Sequence, residues 1–496
     1  MAAVDVADWS ADSNDAVHIS LIKPVEGGVK PLHTFHPKMS YSIFGDEESI
    51  FGYQGLKINL KYNASDMRPG LQITYSKKFK TVGETSPTDL KAILENYLPK
   101  TAFGKTKDYE TSITQIAPDW KPPGELYRTS ESGGQTFEVW KGCLADLAVQ
   151  QLVKRIQILV PMFIEGGTFI ELKDPEWSLE RWTVFFLYNK RSAEAAPGVS
   201  PYVFMGYATV YRYFYYQPLT PPTSPSNSSK KAPIERPATL DFQLPISGVS
   251  FSDLPCRSRI SQFLILPPFQ GGGHGARFYN TIFDFYLAEP QTLEITVEDP
   301  NEAFDDLRDL NDLARLRTDP EFTNLRMNTN VTVRSKGPAP KDIVDPEQVD
   351  KLRKKFKIAP RQFSRLVEMY LLSLIPKAVR QSLLVEQPKS KVPDLPAREH
   401  EYHLWKLLAK QRLTRHNKDA LAQLDRAERI DKLDQALGGV EADYARLLRS
   451  LDEKNDGKGV GSVNRAASGT KRSSPDDDND GDEDEGEPST KKLKFA

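Results

Sequence analysis

The chain predicts an α+β protein: a mixed N-terminal domain, a central mixed sheet with flanking helices, and a helical C-terminal domain. Three observations carry that prediction. Runs of alternating apolar and polar residues, each of strand length, recur between residues 16 and 79. Residues 263–297 read as strand, glycine turn, helix and strand, a single βαβ unit. From residue 345 onward apolar side chains return at helical spacing. At 496 residues the chain exceeds one compact core, so two or three domains are expected.

The elements follow in order. Residues 1–15 read as a flexible start. In a first domain, 16–135, the segments 16–22, 56–62 and 71–79 alternate as half-buried strands do, and 89–98 is a short helix. A second domain, 136–318, opens with a strand over 136–142. A long helix follows, with Leu144, Leu147, Leu152, Val153, Ile156 and Leu159 along one face. Segments 180–186 and 207–215 are strands rich in β-branched and aromatic residues. Residues 217–238 are Pro/Ser-rich, and 217–255 is expected to be a disordered insertion. The βαβ unit comes next, its helix starting near Ala276, and a further helix spans 301–313.

In a third domain, 319–452, Asp345 and Pro346 supply a cap and a first-turn proline. Phe363, Leu366, Val367, Tyr370, Leu371 and Leu374 make one apolar stripe. Charged helices are expected over 404–413 and 421–437, the second stopped by Gly438 and Gly439. Residues 453–496 have the composition of a disordered charged tail. There an acidic block, 476–487, lies between basic clusters at 471–472 and 491–494.

Composition narrows the chemistry. Cys143 and Cys256 are the two cysteines; they make neither a disulfide framework nor a metal set, which fits a reducing compartment. The seven histidines lack zinc-type spacing, so no metal is expected. The N-terminus lacks a basic start followed by an apolar core, so no secretory signal is expected. No apolar run reaches about 18 residues, so no membrane partner is expected. Nor is direct contact with nucleic acid.

Both ends of the βαβ unit carry candidate chemistry. Gln270, Gly271, Gly272, Gly273, His274 and Gly275 form a turn whose glycines permit positive φ and close approach of a ligand. Its amides, with the first free N–H groups of the helix from Ala276, make a cradle suited to a pyrophosphate. Neither G-x-G-x-x-G nor G-x-x-x-x-G-K-[ST] is present; the pattern is Gln-x-x-Gly-x-Gly. An ordinary strand-to-helix turn would use glycine too. At the other end, Glu298 and Asp299 precede Pro300: either a solvated strand end or a general base. Asp46, Glu47 and Glu48 fit either a solvated turn or an acidic docking edge for a basic peptide. Trp182, Tyr211 and Tyr213 fit sheet packing or the wall of a channel for an aliphatic lysine side chain.

The Gln-x-x-Gly-x-Gly turn resembles the coenzyme A signature of the GCN5-related N-acetyltransferase superfamily. The longer strings SQFLILPPFQGGGHG, EITVEDP and IFGDEESIFGYQGLKINLKY, in that superfamily context, closely resemble the type B histone acetyltransferase catalytic subunits. The likeness runs from about Trp9 to Leu451 and is fungal-like, with a central insertion and a long tail.

That resemblance implies a GCN5-related N-acetyltransferase sheet, acetyl-CoA as co-substrate and the tail of free, newly made histone four as acceptor. It implies a WD-repeat histone-binding subunit as partner. It places Asp46, Glu47, Glu48, Trp182, Tyr211, Arg212 and Tyr213 near the histone tail. Asn301 and the backbone of Phe263, Leu264 and Ile265 would lie against the cofactor, and Glu298 would be the base with Asp299 auxiliary. Partial burial of Glu298 against apolar strand residues would then raise its pKa. The basic tail clusters resemble an import signal, so both cytoplasm and nucleus are expected. Rival readings are an acetyltransferase of the same fold acting on another amine, and a non-catalytic histone chaperone.

Overall fold

The computed structural model describes residues 6–191, 199–215, 254–333, 340–376 and 395–455. It divides into two compact units, residues 1–305 and 306–496.

The first unit holds two principal sheets. In one, strands β1 (Val17–Val25), β2 (Gly28–Phe35), β3 (Lys57–Asn63) and β4 (Pro69–Thr74) run in the order β2-β1-β3-β4. β1 is parallel to β3 and the other pairs are antiparallel. Val17, Ile19 and Leu21 are buried on β1, as are Ile58, Leu60 and Tyr62 on β3, so the period-two pattern is what sets the register. Helices α1 (Leu90–Glu95) and α2 (Thr106–Thr114) follow. Asp89 caps the first by accepting from Ala92 N–H.

The second sheet has six strands: β5 (Glu125–Ser132), β6 (Gln135–Cys143), β7 (Trp182–Lys190), β8 (Tyr202–Phe214), β9 (Cys256–Ile265) and β10 (Thr292–Val297). Their order is β10-β9-β8-β7-β6-β5, antiparallel except for the parallel pair β9–β10. Helix α3 (Leu147–Ile156) joins β6 to β7, with Leu159–Phe163 a separate short helix. Helix α4 (His274–Ala288) is the crossover that a parallel pair requires. Opposite faces of the sheet have different neighbours. Val184, Phe186, Tyr207 and Leu264 join one buried cluster with Ile58 and Tyr62 of the N-terminal sheet. On the other face Phe185 meets Phe285 and Tyr286 of α4, and Phe263 meets Phe278.

Several expectations need correction. Residues 10–15 are ordered: 10–12 pair with 49–51, Asp12 caps the turn Ser13–Ala16, and Trp9 packs edge-on to Phe79 at 5.3 Å. The expected boundary at 135/136 falls inside the β5–β6 hairpin, and the core runs across it. The helix expected from Leu144 starts only at Leu147, where Asp146 accepts from Ala148 N–H. It ends at Ile156, and Pro161 lies within the separate short helix Leu159–Phe163. β2, α2 and β5 were not foreseen. The expected insertion lies outside the described residues up to 253, and so does the charged tail from 456.

In the second unit the long helices are α5 (Glu302–Leu316, whose first turn contains the 305/306 boundary), α6 (Pro346–Lys355), α7 (Pro360–Leu374), α8 (Leu395–His416) and α9 (Arg426–Asn455). The predicted stripe is the buried face of α7 except for Leu374, which is 39% exposed. Glu368 on that helix is buried and takes two bonds from Arg412 Nε, at 2.9 and 3.0 Å, and one from Tyr444 OH at 3.0 Å. Removing one partner of such a pair leaves a charge uncompensated and typically costs about 3–5 kcal/mol. Gly438 and Gly439 do not stop the last helix. Two helical glycines cost about 1 kcal/mol each relative to alanine. Burying Leu437, Val440 and Tyr444 around them contributes about 1.5–3 kcal/mol per side chain, so the helix continues.

Candidate active site

β9 outruns its neighbour. The parallel ladder pairs Cys256 with Thr292 at one end and Ile260 with Val297 at the other, and Glu298 N–H still donates to Ile260 O at 2.8 Å. β9 continues to Ile265 while β10 has ended. Leu266 N–H donates to Met205 O, and Gln262 N–H to Thr209 Oγ1, so these groups face β8. By strand alternation the N–H and C=O of Phe263 and the N–H of Ile265 face the side that β10 has vacated. An extended ligand can pair there as a strand would.

The glycine turn closes one end of this edge. Gln270 Nε2 donates to Ile265 O at 2.7 Å, tying the turn to the strand. Gly271 and Gly273 have φ of 81° and 72°, which favour glycine. Gly273 is the N-cap residue of α4, with no side chain satisfying the first-turn amides. The helix begins at His274, two residues before the expected start, so Gly275 and Ala276 contribute first-turn N–H groups. Gly271, Gly272 and Gly273 are exposed. A Cβ on Gly271 would meet nothing within 4 Å, so backbone conformation, not crowding, requires glycine there. Open, uncapped amides on a helix dipole suit a phosphate group.

One residue at the turn was missed. Arg277 Nη2 donates to Gly272 O and lies 3.0 Å from His274 Nδ1. Burial, and then the Arg277 guanidinium, push the His274 imidazole below its usual 6.5. Arg277 is therefore the local cation and His274 the neutral partner. A basic residue four positions after Gly273 was the available signal.

At the other end, Glu298 lies one residue past β10. Its Oε2 accepts from Ser261 Oγ at 2.5 Å, and its Oε1 lies 3.5 Å from Arg259 Nη1. Its side chain is 41% exposed, so the expected burial against apolar strand residues is not found. Asp299 is exposed, with φ of 32° in the turn that follows. Asn301 accepts from Phe304 N–H at 2.9 Å and caps α5.

The aromatic candidates form a row. Tyr211 packs on its cross-strand partner Trp182 and on Tyr213, each at 4.7 Å between ring centroids. The Arg259 guanidinium lies 5.0 Å from the centroid of the Tyr213 ring, which joins the row to Glu298. Arg212 does not join it. Neighbouring residues on a strand point to opposite faces, and Arg212 pairs instead with Glu289 at the end of α4, at 2.5 Å. Arg259 and Ser261 were both missed by sequence reasoning.

The acidic turn divides as well. Asp46 and Glu47 are exposed. Glu48, at φ 49°, turns inward, and its Oε1 accepts from Ser40 and Tyr41 N–H at 2.5 and 3.1 Å. The Ser40 amide first, and the Asn14 side chain second, hold its carboxyl below the usual 4.5. Glu48 is committed to holding the turn.

Comparison with known proteins fits this geometry. Residues 9–165 match the family described as the N-terminus of the histone acetyl transferase HAT1. Residues 309–374 match fungal HAT1, C-terminal. A protein of Gibberella zeae named histone acetyltransferase type B catalytic subunit is 49% identical over 473 residues, covering 93% of this chain and 95% of its own. Proteins of the same name from Pyricularia oryzae and Neurospora crassa are each 46% identical. They cover 95% and 90% of this chain, and 96% and 89% of their own. The chain belongs to the histone acetyltransferase type B catalytic subunits and is an acetyltransferase.

Proposed function

We propose that the chain transfers acetyl from acetyl-CoA to lysines on the N-terminal tail of free, newly synthesised histone four, with Glu298 as general base. One observation carries the reading: the unpaired edge of β9 has a phosphate-type cradle at one end and a carboxylate near the other. From Ile260 to Ile265 the strand advances about 16 Å, a span suited to an elongated carrier. Bound acetyl-CoA supplies an activated acyl thioester. The amides of residues 271–276 hold its pyrophosphate, with Arg277 alongside, and the edge groups of Phe263 and Ile265 bind the arm and orient the carbonyl. Asp46 and Glu47 dock the basic tail, and Trp182, Tyr211 and Tyr213 flank the lysine stem. Glu298 takes the proton from lysine Nζ, directly or through one water, and the freed electron pair attacks the carbonyl as coenzyme A leaves. Asp299 and the uncommitted amide nitrogen of Asn301 are auxiliary.

The printed names of the relatives support a histone as acceptor. A WD-repeat histone-binding subunit as partner, and residence in both cytoplasm and nucleus, belong to the same proposal. Mass spectrometry of free core histones after incubation with the purified chain and labelled acetyl-CoA tests it. Label on tail lysines of histone four is expected; label confined to other amines overturns the acceptor, and none at all overturns the activity on histones.

A further inference from the structure

We infer that Arg259 and Ser261 are positioning residues for the base, Arg259 set by regular pairing and Ser261 aimed by a bulge in β9. The inference rests on the reading of Glu298 as general base. In the β8–β9 ladder Thr209 opposes Gln262 and Val210 opposes Ile260, so Ser261 is an extra residue without a partner. Such a bulge reverses the in-and-out order of the strand beyond it. Arg259, directly opposite Tyr211, shares its face with Tyr211 and Tyr213; the bulge puts Gln262 on that same face, while Phe263 faces α4. The released Ser261 directs Oγ to one oxygen of Glu298, and Arg259 approaches the other.

The two donors constrain different freedoms. The hydroxyl bond at 2.5 Å fixes where the carboxylate sits, and the guanidinium at 3.5 Å fixes which oxygen faces the aromatic row. Arg259 is itself held by the Tyr213 ring, so its fork is oriented before substrate arrives. Without this support a 41%-exposed glutamate would sample several rotamers in water. Arg259 and Ser261 act through Glu298 and make no claim on the substrate.

A double-mutant cycle tests this. Arg259→Gln is expected to lower kcat by about 10- to 100-fold, the scale of a misplaced catalytic group, while the acetyl-CoA Kd and Tm stay close to those of the parent. Arg259→Lys is expected to regain a substantial part of the loss. In a Glu298→Gln background, Arg259→Gln should cost less than about 2-fold, because its effect passes through the carboxylate. Unchanged kcat in Arg259→Gln, or an equal loss in both backgrounds, overturns the inference and leaves the base reading standing. Unchanged kcat in Glu298→Gln alone removes the base reading instead. Should Arg259→Gln fail to fold, Ser261→Ala carries the same cycle: a roughly 3- to 10-fold loss that vanishes beside Glu298→Gln supports the inference, and an additive or absent loss overturns it.

Discussion

The two ends of the β9 edge are built from different materials. The cradle is main chain: amides of residues 271–276 at a helix N-terminus, with glycines admitting the conformation. The carboxylate end is side chain: Glu298, with Arg259 set by pairing opposite Tyr211 and Ser261 released by a bulge. A main-chain site tolerates little change in backbone conformation and is indifferent to most neighbouring side chains. A side-chain site depends on register, and a one-residue slip dismantles it. Binding and turnover should therefore separate cleanly by mutation.

The largest separation is expected from Glu298→Gln. Turnover near neutral pH should fall by about 10²- to 10⁴-fold, the usual worth of a general base, with acetyl-CoA affinity retained. Steady-state rates alongside calorimetric binding check it, and a matching loss of affinity would blur the two ends into one site. Gly273→Asp is the converse. A side chain at φ 72° costs about 1–2 kcal/mol, and its charge opposes the phosphate, so the acetyl-CoA Kd should rise roughly 100-fold. Unaltered binding would move the carrier elsewhere.

The smallest effect marks a residue at neither end. Glu48 has a carboxyl held below 4.5 in the folded chain, so its contribution is present above that value and fades as pH falls through the folded value. Glu48→Gln should lower Tm by a few degrees at pH 7, by a deficit that shrinks as pH falls below 4.5. Melting curves across that range decide it; a deficit independent of pH would show that the charge of Glu48 is not what stabilises the turn.

Main-chain chemistry was the more legible in sequence. Glycine spacing after an apolar run announces a turn and an anion cradle, and the structure has the turn and an uncapped helix start there. Glu298 and Asp299 were visible as acids, but nothing in alternation announces a bulge at Ser261, and Arg259 finds Glu298 only across the β9–β10 pairing. The family resemblance grouped Arg212 with the tyrosines, although alternation alone puts it on the other face. Glu48 looked like one more surface acid because its inward turn depends on a left-handed backbone conformation. Gly438 and Gly439 misled in the opposite sense: local propensity lost to the burial of Leu437, Val440 and Tyr444.

The early end of β10 has a consequence for how this chain meets others. Unpaired amides along a strand invite any stray extended chain, including one from a second molecule, to complete the sheet. On the proposed reading, an acyl carrier paired there would guard the fold as well as feed the reaction. By mass action the guard strengthens with the logarithm of carrier concentration. On that reading, a shortage of acyl donor would leave this edge at its most adhesive.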